Sequence, residues 1–258
     1  MPVELVLPLL ILVSPVIGSF LGVVIARCGK GSIHGRSCCD SCGHQLGVLD
    51  LVPVLSWIAL KRRCRFCGAK LSLYYPLVEL SAIVPVAWAA TVQQGLLLMV
   101  SAVLGWLLLA LAWIDWRTQR LPDRLTLPLA ILGLVAAVMY DDNALVDHVL
   151  GAVAGYGVFG LVTAVYRRFR GREGLGLGDA KLLGGLGAWL AWESLPSVIF
   201  LGAVMALASA MIARLFLRVD ERRPSGFQHQ IAFGPALAMA GWIVWLYGPL
   251  VPTELVGH

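Results

Sequence analysis

Charge is scarce in this sequence. Asp, Glu, Lys and Arg together make up 14% of its 258 residues, against a hydrophobic share of 59% and a mean hydropathy of +0.83. An ordinary soluble domain carries about a quarter charged residues, so that class is excluded. Other absences narrow the reading further. Met1-Pro-Val-Glu4 supplies no basic n-region and no small-residue cleavage site follows, so the first apolar stretch reads as a retained helix, with no soluble mature form. No cysteine lies outside positions 28 to 67, and the five histidines (34, 44, 148, 229 and 258) sit near no obvious nucleophile, so no Ser, Cys and His constellation is assembled.

What is present is apolar length. A helix crosses a hydrocarbon core with about 20 apolar residues. Eight candidate spans run approximately over Leu5 to Ala26, Leu77 to Val92, Gly95 to Ile114, Leu125 to Tyr140, His148 to Tyr166, Ala180 to Trp192, Ser197 to Phe216 and Ile231 to Tyr247. The expected fold is therefore an all-α polytopic membrane protein of about eight transmembrane helices. Trp57, Trp88, Trp113, Trp116, Tyr140, Trp189 and Trp192 lie near proposed ends, as interfacial belts or as ordinary packing residues.

Basic residues are also missing from one side of this eight-span arrangement. All 20 Lys and Arg fall in alternate loops: eight in the first, three near Arg120, five around Arg170 and four around Arg218. The opposite loops hold Asp141, Asp142, Asp147 and Glu193 and no Lys or Arg. The basic loops are the cytoplasmic ones, which puts both termini outside. The net charge of +5 is then explained by topology and anionic lipid, and nucleic acid is not an expected partner.

All six cysteines (Cys28, Cys38, Cys39, Cys42, Cys64, Cys67) occupy the first basic loop, where a reducing compartment disfavours disulfides. Cys39-Asp-Ser-Cys42 and Cys64-Arg-Phe-Cys67 are C-x2-C pairs, each followed by glycine, with 21 residues between them. Two such turns present four thiolates to one tetrahedral ion, so Cys39, Cys42, Cys64 and Cys67 are the expected ligands of one structural zinc. Cys38 can replace Cys39, and His34 or His44 can substitute in principle, although a loop histidine is more often a bystander. A closed four-thiolate sphere leaves no position for water and performs no chemistry. Between the pairs, Val48 to Leu60 is too short to span and is broken by Pro53, so it reads as an interfacial or re-entrant segment. The expected organisation is a first helix over 1–26, a cytoplasmic zinc loop over 27–76 and a seven-helix membrane domain over 77–258.

Asp115 ends the third span and Asp179 opens the sixth, 64 positions later, both on the basic side. Ionisable residues at a membrane boundary are functional candidates. Two carboxyls that meet share a proton, so that one activates water while the other polarises a carbonyl, as peptide hydrolysis requires. The bland alternative is a pair of helix caps or ion-pair partners, with Arg117 and Lys181 close by in sequence.

Read in order, the motifs resemble those of prepilin peptidases, the type IV leader peptidases. Gly18-Ser19-Phe20-Leu21-Gly22 is similar to the family's opening motif, Arg36-Ser37-Cys38-Cys39 to the start of its cysteine loop, and Leu55-Ser56-Trp57 with Tyr75-Pro76-Leu77-Val78-Glu79-Leu80 to the rest of that region. Ile114-Asp115 with Leu121-Pro122-Asp123 resembles its first aspartate motif, Gly176-Leu177-Gly178-Asp179 its GxGD motif, and Phe233-Gly234-Pro235 its last helix. The resemblance implies a GxGD-type aspartic protease of the bacterial inner membrane with Asp115 and Asp179 as the catalytic pair. It cuts the basic leader from type IV prepilins or type II secretion pseudopilins after a glycine, on the cytoplasmic side. Many members also methylate the new N-terminus with S-adenosylmethionine; no Gly-rich nucleotide fingerprint locates that donor here, so the methylation residues stay unassigned. Cys39-Asp-Ser-Cys42 departs from the family's Cys-Pro-x-Cys. Glu79 and Asp123 are candidate contacts for a basic leader, against ordinary pairing with Arg. The competing classes are a transporter and a zinc-organised membrane scaffold.

Overall fold

The computed structural model describes residues 3–28, 36–140, 145–170, 176–216 and 233–250. His34, Arg172, Asp141 and Asp142 lie outside the described residues. The described chain is almost entirely helical, with no strand beyond two isolated bridges. Its helices are α1 (Val3–Arg27), α2 (Leu55–Ala59), α3 (Tyr74–Ser81), α4 (Ile83–Ala89), α5 (Gly95–Thr118), α6 (Asp123–Tyr140), α7 (Leu145–Arg170), α8 (Leu177–Phe216) and α9 (Phe233–Tyr247). Helices α1, α5, α7 and α8 are long and apolar enough to cross a membrane, so the chain is a multi-pass membrane protein.

Within the described residues each expected span falls on helix, with two differences, and Ile231, expected to open the last span, lies outside them. The span expected over Leu77 to Val92 is split at Ala82 into α3 and α4. The two expected over 180–192 and 197–216 run together as α8, broken at Ala191, whose φ of 60° and ψ of 170° are not helical. That break costs one non-glycine residue a left-handed φ and interrupts the helix after about its first third.

The chain divides into two compact units, residues 1–110 and 111–258. In the first, α3 and α4 pack on α1, and the Tyr74 hydroxyl donates to the Gly22 carbonyl at 3.2 Å. The Trp106 indole N–H donates to the Ala82 carbonyl at 2.9 Å, satisfying a group at the α3/α4 break.

In the second unit α8 packs against α6, α7 and α9. Lipid tails are as apolar as leucine, so helices in a bilayer associate through close backbone packing more than through the hydrophobic effect. The α7/α8 contact is built that way, since a Cβ on Gly187 would overlap the Gly151 carbonyl. Trp189, read as either belt or packing residue, is buried, donates to the Leu129 carbonyl at 2.8 Å and meets Trp245 edge to face at 5.5 Å. It is a packing residue. Trp116, 72% exposed, has the exposure that an interfacial ring requires.

Candidate active site and candidate metal centre

The cysteine loop is two copies of one turn. In the first, the Gly43 N–H donates to the Cys39 carbonyl and the Cys39 N–H to that of His44; in the second, Gly68 donates to Cys64 and Cys64 to Ala69, all four bonds at 2.9 Å. Gly43 and Gly68 take φ of 70° and 71°, a left-handed conformation that a Cβ would strain. The turns bring the thiols of Cys39, Cys42, Cys64 and Cys67 within 4.8 Å of one another, with the Cys39 and Cys67 sulfurs 3.9 Å apart. Sulfurs about 2.3 Å from a tetrahedral zinc stand roughly 3.8 Å apart, so the donor set fits that ion. Cys38 is exposed outside the cluster, its backbone bridged to Gln45. His44 is also outside it and lies over the Phe66 ring, with centroids 3.5 Å apart.

The four thiols differ in acidity. The backbone N–H groups of Cys42 and Ser41 bring Cys39 down to about 6. The Ala69 N–H favours the Cys67 thiolate, but burial and the three neighbouring thiols outweigh it and push Cys67 up to about 11. An ion that replaced those protons would remove the imbalance.

The segment between the two turns forms a single 3-10 turn (Val48–Leu51) followed by α2. Asp50 is held from both sides, by the Gly47 N–H at 3.2 Å and by the Arg65 guanidinium at 3.0 Å. The Arg62 guanidinium lies over the Trp57 ring, 5.3 Å from its centroid.

Glu79, on α3 and 7% exposed, accepts the Val54 N–H at 2.8 Å and a hydrogen bond from Ser19 on α1. Val54 has a φ of 58°, unfavourable for a β-branched residue, and the carboxylate bond helps hold it there.

The aspartates belong to the second unit, and helix ends position both. Asp115 is in the last turn of α5, which closes through the Gln119 N–H on the Asp115 carbonyl, with Gln119 left-handed at φ 51°. Asp179 is in the first turn of α8, where its carboxyl accepts the Gly176 N–H. The two carboxyls lie within coulombic range of each other. Asp115 is 6% exposed and accepts the Gly234 N–H at 3.1 Å. A Cβ on Gly234 would stand 2.5 Å from the same carboxyl oxygen, so only glycine lets the start of α9 approach Asp115.

Lys181, a sequence neighbour of Asp179, forms its ion pair with Asp123. That bond, and the contact of Leu121 with Gly178, join the segment after Asp115 to the segment around Asp179. The capping alternative is present in part. Asp179 caps its own helix and Asp115 caps α9, yet both remain in one another's field.

Gly234 is the residue whose bond to Asp115 local reasoning missed. Its motif was visible in the sequence, but a partner 119 positions away leaves no trace in local spacing.

Two sequence profiles match the chain: that of the type IV leader peptidase family over residues 102–211, and that of the bacterial peptidase A24 N-terminal domain over residues 12–92. The prepilin leader peptidase/N-methyltransferase of Aeromonas hydrophila is 42% identical over 214 residues, which cover 83% of this chain and 72% of the relative. The protein of the same name from Dichelobacter nodosus is 40% identical over 221 residues, covering 85% and 73%. That from Burkholderia pseudomallei strain 1026b is 35% identical over 277 residues, covering 96% and 87%. No solved structure matches the chain.

Proposed function

This chain belongs to the type IV leader peptidase family, and from that premise we propose that it is a membrane aspartic endopeptidase with Asp115 and Asp179 as its catalytic pair. Its substrates are type IV prepilins or type II secretion pseudopilins, whose basic leader it removes after a glycine. It works in the bacterial inner membrane with the active site toward the cytoplasm, an orientation supported by the confinement of Lys and Arg to alternate loops. It also N-methylates the new N-terminus from S-adenosylmethionine, as the names of its relatives suggest. One zinc ion held by Cys39, Cys42, Cys64 and Cys67 would order the first loop, supplying structure and no open coordination site.

The observation that supports the peptidase reading is that two buried carboxyls at the ends of two membrane helices, 64 positions apart in sequence, stand within one another's electrostatic field. Two carboxyls that share a site bind one proton between them, because ionising both is costly. The ionised member takes a proton from water as that water attacks the scissile carbonyl. The protonated member donates to the carbonyl oxygen, and the member that took the proton from water delivers it to the leaving amine as the tetrahedral intermediate collapses. The Gly234 N–H fixes the Asp115 carboxyl, so that one half of the pair is oriented before substrate arrives.

The test is hydrolysis of a synthetic prepilin peptide by purified protein. We expect cleavage after the leader glycine by the natural sequence and none by Asp179→Asn. Equal turnover by the two proteins would exclude the pair, and with it the aspartic mechanism.

A further inference from the structure

The segment between the two cysteine turns is apolar where a loop in water would be polar. Val48 and Leu49 are 85% and 72% exposed, and Leu51, Leu55 and Ile58 are exposed with them. Apolar side chains gathered at a surface in this way mark a contact with something outside the fold. Positive charge follows directly. Lys61, Arg62 and Arg63 are all exposed. The Arg62 guanidinium lies over Trp57 and that of Arg65 is engaged with Asp50, whereas Lys61 and Arg63 make no ion pair among the described residues. Residues 48–71 hold five basic side chains and one acidic, so whatever covers this surface is apolar in one part and anionic in another. A basic prepilin leader is repelled by that charge.

Glu79 sets the depth of the segment. Its carboxylate accepts the Val54 N–H at 2.8 Å and the Ser19 side chain of α1. Ser19 precedes Arg27, the last residue of α1, by eight positions, which places Val54 roughly 12 Å inside that helix end. The 25 residues of α1 are about 37 Å long against a hydrocarbon core of about 30 Å, so a centred α1 puts this level about 8 Å into the hydrocarbon. Amphipathic segments that lie in an interface are buried to about that depth.

The backbone suits a place with little water. The Ser56 and Ile58 N–H groups donate to Val52 and Val54, and those of Lys61, Arg62 and Arg63 donate to Ile58, Trp57 and Leu60, at 2.9 to 3.1 Å. Left-handed residues stand at both ends of α2, Val54 before it and Lys61 and Arg62 after it, with φ of 58°, 50° and 61°. None is glycine, so each is a strained position held to aim the short helix and the basic turn that follows it.

We propose that residues 48–63 are an in-plane anchor, which docks the cysteine loop on anionic phospholipid of the leaflet at the C-terminal end of α1. Leu49, Leu55 and Ile58 enter the acyl region, while Lys61 and Arg63 reach headgroup phosphates. In the orientation proposed above this is the cytoplasmic leaflet, but the contact itself is the same in either orientation. The anchor also gives the loop a fixed height, because the turn carrying Cys64 and Cys67 begins directly after Arg63.

The experiment is photo-crosslinking of the full-length protein in nanodiscs made from an equal mixture of phosphatidylcholine and phosphatidylglycerol. Leu55→photo-leucine and, separately, Ile58→photo-leucine place a diazirine on the exposed face, and adducts are identified by mass spectrometry. Both positions should carry phospholipid. Phosphatidylglycerol should exceed phosphatidylcholine among the adducts by about fivefold or more, the worth of one basic side chain at an anionic surface. Adding Lys61→Gln and Arg63→Gln should bring that ratio close to one. These side chains are exposed, and the test of lipid contact in the chain that keeps them does not depend on the variant. Adducts with water alone at both positions would overturn the anchor. Crosslinking to an added prepilin peptide in preference to lipid would overturn it too, by making the surface a substrate site. Equal adducts of the two lipids with Lys61 and Arg63 present, or a ratio that the double variant leaves unchanged, would overturn the headgroup contact assigned to these residues.

Discussion

The cysteine loop and the aspartate pair are built on opposite plans. In the loop, each half of the cluster is a turn of about six residues whose backbone bonds are made within the turn, and the two turns repeat one another bond for bond. The aspartate site has no local unit. Asp115, Asp179 and Gly234 come from three helices and meet only because α8 packs against its neighbours and α9 starts beside α5. A site built from local turns can be lost without disturbing the helices, and a site built by helix packing can be lost by changing one hydrogen atom into a methyl group.

The largest effect should follow from removing a carboxyl charge. Asp115→Asn or Asp179→Asn should lower prepilin cleavage by about 10⁴-fold or more, and the double variant should be scarcely worse than either single one, because residues that act as a unit are non-additive. Asn keeps an oxygen to accept the Gly234 N–H, so Asp115→Asn tests charge while leaving the cap of α9 in place. The pH profile of the natural protein should be a bell belonging to the pair. Rates that multiply independently in the double variant would mean two separate caps.

Next in size is the metal. Cys67→Ser should reduce bound zinc, measured by elemental analysis, from one ion per chain to none, and the loop should become protease-sensitive, because structural zinc supplies folding free energy directly. Since α5 to α9 do not depend on those turns for their own hydrogen bonds, the membrane helices should keep their helical circular dichroism. Loss of the whole helical signal would break the contrast between local and long-range construction.

Gly234→Ala sharpens the same contrast from the other side. Its added methyl group would stand 2.5 Å from the Asp115 carboxyl, so the carboxyl or α9 must shift. A displacement of that order should cost about 10²-fold in kcat with the metal content unchanged. Wild-type kcat would show that Asp115 does not need its bond from α9.

The smallest effect is expected at Lys181. Its pair with Asp123 is largely solvent-exposed, and such pairs contribute about 0–1 kcal/mol, so Lys181→Met should change turnover by less than about fivefold. A loss as large as that for Gly234→Ala would place the ion pair in substrate binding.

Much of this was legible in the order of the residues because it depends on properties that act over short stretches. Scarce charge and apolar runs determine helices in a membrane, since backbone polar groups have no other way to be satisfied there. Two C-x2-C turns with a following glycine determine a four-thiol cluster, since each turn closes within itself. The ends of helices, and hence the positions of Asp115 and Asp179 at those ends, follow from the same local rules. Tertiary structure decided the rest. It decided that Cys39 and not Cys38 joins the other three thiols, that Lys181 pairs with Asp123 across 58 positions, that Trp189 is packed inside, and that α8 bends at Ala191. It also decided that Glu79 holds Val54 and that Gly234 holds Asp115. Apart from the bend at Ala191, each of these is a contact between residues far apart in the chain, selected by how backbones and side chains fit once the helices pack, and local periodicity carries no record of that fit.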